Sequence, residues 1–222
     1  MGDRLRTARL GRGLSVRGLA ERLEVSPSLI SQVETGRARP SVNTLYAIVT
    51  ELGLSLDELL FLESRAAAEP SAEPRDDGSA GEGGAGELVL PDVPVQRAAT
   101  RQAIRLASGV VWERLTTASL GSMDFLFVRY EVGGASSSED ALHRHAGQEL
   151  GFIISGRLEV RVGTEVHVLG PGDSIAFDST TPHRLLNIGD EPVDAVWLGI
   201  GRRSDHPGPL QATRTGSSEA ER

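Results

Sequence analysis

Apolar residues in the first sixty positions recur at helical spacing. Leu5 and Ala8 fall on one face of a first helix. Ser15 follows Leu14 as an N-cap, and Val16, Leu19, Ala20 and Leu23 then repeat every three or four positions. Ser26-Pro27 places a cap before a proline at the first helical position, with Ile30 and Val33 as the apolar side of a short helix. Ser41 caps a fourth helix carrying Leu45, Ile48 and Leu52, and the capping box from Ser55 to Glu58 opens a last short helix ending near Leu62. From about residue 105 the period changes to two. The segments VVWERLTTA, MDFLFVRYEV, LGFIIS, RLEVRV, TEVHVLG, DSIAFD, HRLLNI and VDAVWLGI each read as a short strand, separated by Gly, Pro, Asp and Asn. Many short strands at this spacing predict a sandwich or barrel.

Between these regions the pattern disappears. Residues 63–88, ESRAAAEPSAEPRDDGSAGEGGAGEL, hold seven acids against two Arg and little that can be buried. Such a segment does not offset its ordering entropy and reads as a flexible acidic linker. Residues 204–222 read as a disordered tail. The expected organisation is therefore α then β: a five-helix bundle at 1–62, a linker at 63–88, a β-barrel domain at 89–203 and the tail.

Composition narrows the function classes. The chain has 222 residues and no cysteine, which rules out disulfides and thiolate metal sites. Its N-terminus is charged from Asp3 and Arg4 onward, so it lacks the apolar core of a secretion signal, and no apolar run approaches the ~18 residues of a membrane span. The expectation is a soluble cytoplasmic protein. The net charge of −8 argues against generic nucleic-acid binding, yet residues 1–40 alone carry eight Arg against four acids.

That basic segment also has the layout of a DNA reader. Helices near 16–23 and 27–34 are joined by Glu24-Val25-Ser26, a turn that presents the second helix to the major groove. Ser26, Ser28, Ser31 and Gln32 stand at its start; Gln pairs bidentately with adenine and Ser serves several bases. Arg17, Arg37 and Arg39 flank them as phosphate partners, and the helix start at Ser41 offers backbone amides. A five-helix bundle for docking or dimerisation is the alternative reading. Over about residues 5–62 the chain resembles the phage-repressor-like (XRE) helix-turn-helix family. The matching features run from Arg9 to Ser15, through LAERL, from Val25 to Gly36, at Pro40, and from Leu52 to Leu59. Glu24 stands where that family often has Gly, and Val16-Arg17 where many members have Gln-Glu. The resemblance implies a double-stranded, palindromic operator bound by a homodimer.

The second segment with chemistry is HRHAGQELGFIISG, residues 143 to 156. On an extended strand His143 and His145 point the same way, and Glu149 keeps that parity. His183 opens a later strand. Three imidazoles and a carboxylate inside a small barrel can converge on one ion, and histidine with carboxylate suits Zn, Fe, Mn, Ni or Cu. Over roughly residues 105–202 the chain resembles the cupin family, a double-stranded β-helix or jelly-roll barrel. His143, His145, Glu149 and Gly156 match its first motif, and Gly172, His183 and Asn187 its second. The resemblance implies that His143, His145, Glu149 and His183 are ligands of a divalent metal, with Asn187 shaping the barrel. Ser137 replaces the glycine expected before the first His, and Asp178, Thr180 and Pro182 rebuild the turn before His183. In an alternative reading, cupins joined to DNA-binding domains lack metal and use these residues as pocket walls for an organic ligand. Trp112, Phe125, Phe127, Phe152, Phe177 and Trp197 are candidate walls, and Arg129, Arg161 and Arg184 are either carboxylate clamps or solvent-facing. His167 and His206 have no evident partner.

Together the two resemblances imply a transcription regulator, repression being the commoner mode, whose barrel senses a small molecule. A metal-dependent cupin oxygenase or epoxidase carrying a helix-turn-helix is the enzyme alternative. A regulator that senses the ion itself is the third.

Overall fold

The computed structural model describes residues 1–54, 59, 95–118, 120, 123–139 and 142–201. The expected linker at 63–88 and tail at 204–222 lie outside these residues, as does the expected fifth helix apart from Leu59.

Among the described residues, four α-helices form the N-terminal part: α1 (Gly2–Gly11), α2 (Val16–Arg22), α3 (Pro27–Glu34) and α4 (Val42–Glu51). Each of the last three begins at the expected serine. Ser15, Ser26 and Ser41 accept hydrogen bonds from the amides of Gly18, Leu29 and Thr44, satisfying donors that the first helical turn leaves orphaned. Leu5, Leu19, Ala20, Ile30, Val33, Leu45 and Ile48 are buried, which is the stripe the sequence predicts. The α2–α3 turn closes with Glu24 at φ 53, the left-handed conformation that glycine adopts without strain. The amide of Val25 bonds to Ala20 O and that of Glu24 to Glu21 O, so the carbonyls at the end of α2 are satisfied by a Schellman-type closure.

A buried ion pair ties α1 to α3. The Arg9 guanidinium meets the Glu34 carboxylate at 2.5 and 2.8 Å, with both side chains 6% exposed, and also donates to Leu14 O at 2.7 Å. The bond to Glu34 raises the Arg9 pKa, so the guanidinium stays charged. Gly2 allows the start of α1 to lie against the end of α3, where a Cβ would run into the Glu34 carbonyl.

Among the described residues, nine antiparallel strands form two sheets. The first has the order β1 (Ala103–Arg105), β2 (Val110–Arg114), β3 (Met123–Tyr130), β9 (Val193–Ile200), β4 (Gln148–Ser155), β7 (Ser174–Asp178). The second has the order β6 (Glu165–Leu169), β5 (Leu158–Val162), β8 (His183–Asn187). All eight expected strands are present, and β1, whose three residues are too few to show a period, is additional. Strict alternation in β3, β4 and β9 turns Leu126, Val128, Ile153, Ala195 and Trp197 inward. Asn187 fixes the rim: its amide donates to Tyr130 O, Glu131 O and Glu191 O, and its carbonyl accepts from Gly189 N. It shapes the barrel and points no ligand inward. Among the described residues no helix is long and apolar enough to cross a membrane.

Glu34→Ala leaves the Arg9 guanidinium buried without its counter-charge and is expected to lower the stability of the helical part by about 3–5 kcal/mol. Urea unfolding followed by circular dichroism measures this. The paired apolar variant Arg9→Met/Glu34→Leu should recover most of the loss.

Candidate metal centre and nucleic-acid interface

The backbone brings the four expected ligands to one end of the barrel. His143 and His183 form an isolated antiparallel bridge, with His143 N donating to His183 O at 3.1 Å and the reverse bond at 2.9 Å. His145 is held by its amide on Ser179 O at 3.0 Å. Ligating atoms of His143, His145 and His183 lie within 4.8 Å of one another. Glu149, 4% exposed, joins them from β4: its Oε1 is 2.9 Å from His145 Nε2 and 3.8 Å from His183 Nε2. Its Oε2 accepts from Trp197 Nε1 at 2.8 Å.

The ring tautomers follow from the carbonyls nearby. His145 Nδ1 is 3.1 Å from Ala146 O and His183 Nδ1 is 2.9 Å from Thr181 O. A carbonyl only accepts, so both Nδ1 atoms carry the proton and both Nε2 atoms present a lone pair in the neutral rings. Those lone pairs face Glu149 Oε1, itself an acceptor. A proton shared between the groups or a cation among them reconciles such neighbours, and a divalent cation would do so for all of them at once. Imidazoles anchored through Nδ1 on a backbone carbonyl, with Nε2 turned inward, are the arrangement typical of metal-binding histidines. The donor set therefore fits a divalent ion.

Above the cluster lies a small cavity of about 20 Å³, room for one or two waters. The barrel contributes Trp112, Leu126, Val128, Tyr130, Ser136, Leu185 and Trp197, and α4 contributes Val42 and Tyr46. The Tyr46 ring stacks on His145 at 4.9 Å between centroids and also meets Trp112 at 5.2 Å.

At the other functional surface, Ser26, Ser28, Ser31 and Gln32 are exposed along the start and outer face of α3, and Arg17, Arg37 and Arg39 are exposed around it. Ser41 is half-buried. The hydroxyls of Ser26 and Ser41 already cap their helices, which leaves Ser28, Ser31 and Gln32 as the groups presented outward. Among the described residues no ion pair engages Arg17, Arg37 or Arg39.

Comparison with known proteins agrees with both halves. A helix-turn-helix domain model matches residues 1–62 and a cupin domain model matches residues 126–199. The chain joins a helix-turn-helix domain to a cupin domain. It is 25% identical over 186 residues to the HTH-type transcriptional regulator PuuR of Escherichia coli, covering 84% of this chain and 86% of that one. It is 40% identical over 60 residues to the transcriptional regulator ClgR of Mycobacterium tuberculosis, covering 27% of this chain and 54% of that protein. The crystal structure of an HTH_3 family regulator from Vibrio cholerae superposes with a TM-score of 0.57 at 18% identity, over 90% of this chain and 93% of that one. That likeness shows a shared fold.

Within the cupin domain, the expected pocket residues divide by strand parity. Trp112 and Trp197 line the cavity, and Phe177 packs its ring 4.9 Å from His183. Phe125 and Phe127 do not reach it. They alternate with the inward Leu126 and Val128, so they occupy the outer face of β3, where the Arg101 guanidinium lies 5.5 Å from the Phe127 ring. Phe152 is 47% exposed on the outer face of β4. Arg129 is also outside the site, pairing with Asp194 at 2.6 and 2.7 Å, and Arg184 donates to Ser137 O. His167 is exposed beside Glu165, and His206 lies outside the described residues. The wall residues missed are Val42, Tyr46, Leu126, Val128, Tyr130, Ser136 and Leu185. A signal for the first two exists: Val42, Tyr46 and Val49 form a second apolar stripe on α4 beside Leu45, Ile48 and Leu52, and a helix apolar on two sides is covered on two sides.

Gly151 is the inward position opposite Trp197, and a Cβ there would run into the indole. Gly151→Ala is expected to push the indole off Glu149, shift tryptophan emission and cost about 1–3 kcal/mol in urea unfolding through overpacking.

Proposed function

We infer that this protein is a helix-turn-helix transcription regulator with a cupin domain, and we propose in addition that the cupin domain holds a divalent metal and senses a small organic molecule. One observation carries the reading: an exposed α3 bearing Ser28, Ser31 and Gln32, ringed by Arg17, Arg37 and Arg39, stands in one chain with a buried imidazole and carboxylate cluster. Likeness to PuuR along most of both chains supports it. In this proposal the division is 1–62 for DNA and 89–203 for sensing. In it the protein is a cytoplasmic homodimer that reads two half-sites about one helical turn, ~34 Å, apart. Repression is the proposed mode.

His143, His145, His183 and Glu149 would hold the metal. Such an ion supplies a Lewis-acidic anchor for a ligand carboxylate or hydroxyl. The protein's own groups do the rest: Trp197 orients Glu149, the Ala146 and Thr181 carbonyls fix the rings, and the walls leave room for no more than one or two waters. The same donors would serve an oxygenase, which is the second reading. The exposed recognition surface favours the regulator.

Duplex DNA from upstream of the gene, competed against random duplex, tests the regulator. The expected result is a preference for the upstream DNA that weakens steeply with salt, as Arg–phosphate contacts dictate. Gln32→Ala should lose about 1–3 kcal/mol of sequence discrimination, while Arg37→Ala and Arg39→Ala weaken all sequences alike. No preference for upstream DNA, with substrate-dependent oxygen uptake by the iron-loaded protein, would favour the enzyme.

Elemental analysis tests the metal. The untagged protein should carry a stoichiometric divalent ion, and His143→Ala/His183→Ala should carry none. A native protein that takes up no metal even after reloading would make these residues pocket walls.

A further inference from the structure

The cavity over the imidazole cluster is walled on one side by the DNA-binding domain. Val42 and Tyr46 of α4 lie among its walls, and the Tyr46 ring stacks on His145 and, at 6.2 Å, on His143, while meeting Trp112 at a tilt. Beside them the Ala107 amide donates to Pro40 O at 2.9 Å, a backbone hydrogen bond from the barrel to the loop between α3 and α4. With α4 seated, the space left is about 20 Å³, which admits one or two waters and no organic molecule of several heavy atoms.

We propose that α4 is the lid of the cupin's ligand site: an organic ligand reaches the imidazole cluster only by displacing Tyr46 and Val42, and that displacement moves the DNA-reading helix. This rests on the regulator reading above and adds the coupling between its two sites. The movement reaches α3 because α3 and α4 are one packed unit. Ile30 and Val33 are buried with Leu45 and Ile48, and the amides of Arg37 and Ala38 both bond to Gln32 O in the intervening loop. Arg37 and Arg39, the phosphate candidates, sit within three residues of Pro40, the point stitched to the barrel. The walls beneath the lid are Trp112, Leu126, Val128, Leu185 and Trp197. They suit a compact, largely apolar ligand with one anionic or metal-coordinating group aimed at the histidines. A ligand that binds only the undocked arrangement shifts the protein towards it, and linkage requires DNA to be favoured or disfavoured by the same factor.

The test needs no knowledge of the ligand. Both tryptophans, Trp112 and Trp197, are in the barrel, so intrinsic fluorescence of the full chain reports on the lid. The chain has no cysteine, so Pro40→Cys/Ala107→Cys introduces a single thiol pair that can lock the lid on oxidation. Affinity for the upstream duplex is measured for the wild type, Tyr46→Ala, Tyr46→Phe and the cysteine variant, oxidised and reduced. The expected result is that Tyr46→Ala and the oxidised lock move DNA affinity in opposite directions, each by about fivefold or more. Tyr46→Phe, which keeps the stacked ring, should match the wild type. Acrylamide should quench tryptophan emission more strongly in Tyr46→Ala. The inference is overturned if the lock and Tyr46→Ala both bind DNA as the wild type does, if they shift affinity in the same direction, or if the cysteine pair fails to oxidise. Should Tyr46→Ala not fold, the oxidised and reduced lock decide. A wild type that binds no DNA would instead defeat the regulator reading, and acrylamide quenching unchanged by Tyr46→Ala would defeat the lid independently.

Discussion

Glu149 is a carboxylate placed where water hardly reaches, and the ligand end of the barrel is organised around that burden. An isolated buried charge is costly, and each neighbour offsets part of the cost. Trp197 donates to one oxygen, and His145 and His183 turn ring nitrogens towards the other. Trp197 takes that position because Gly151 opposite has no side chain. The rings in turn are held by the carbonyls of Ala146 and Thr181 and by the bridge between His143 and His183. The resulting donor set of imidazole nitrogens and one carboxylate is compatible with a divalent cation.

The helical part solves the same problem in another way. Arg9 and Glu34 are buried as a bidentate pair, and the pair sets α1 against α3. Its stabilising effect over an apolar pair is small, whereas losing either partner alone is severe. The consequence is a fixed position for α3, whose outer face must meet DNA with its side chains already in register. Both halves thus use a buried charge to orient a functional element.

The contact through Tyr46 changes how the two halves are understood. Separate modules on a tether would communicate only by changing how two copies are arranged. Here α4, a helix of the helix-turn-helix domain, is itself part of the cavity wall, so in the proposal the path from ligand to operator would be one aromatic ring and one packed helix long.

Much of this was legible in the residues. Serine caps located α2, α3 and α4, period-two alternation located eight of nine strands, and the spacing of His143, His145, Glu149 and His183 named the cluster that the fold brings together. These features are local, and local backbone chemistry decides them. Register and domain contact are not local. Phe125 and Phe127 looked like pocket walls, and only the pairing of β3 with β9, which faces Leu126 and Val128 inward, put them outside. Val42 and Tyr46 line the cavity with residues that lie from 66 positions (Tyr46 to Trp112) to 155 positions (Val42 to Trp197) along the chain, and no periodicity encodes such a distance. The sequence by itself determined which elements form and which side chains carry the chemistry. The tertiary structure alone decided which face each strand buries and which helix covers the site, because those depend on how separate segments share one interior.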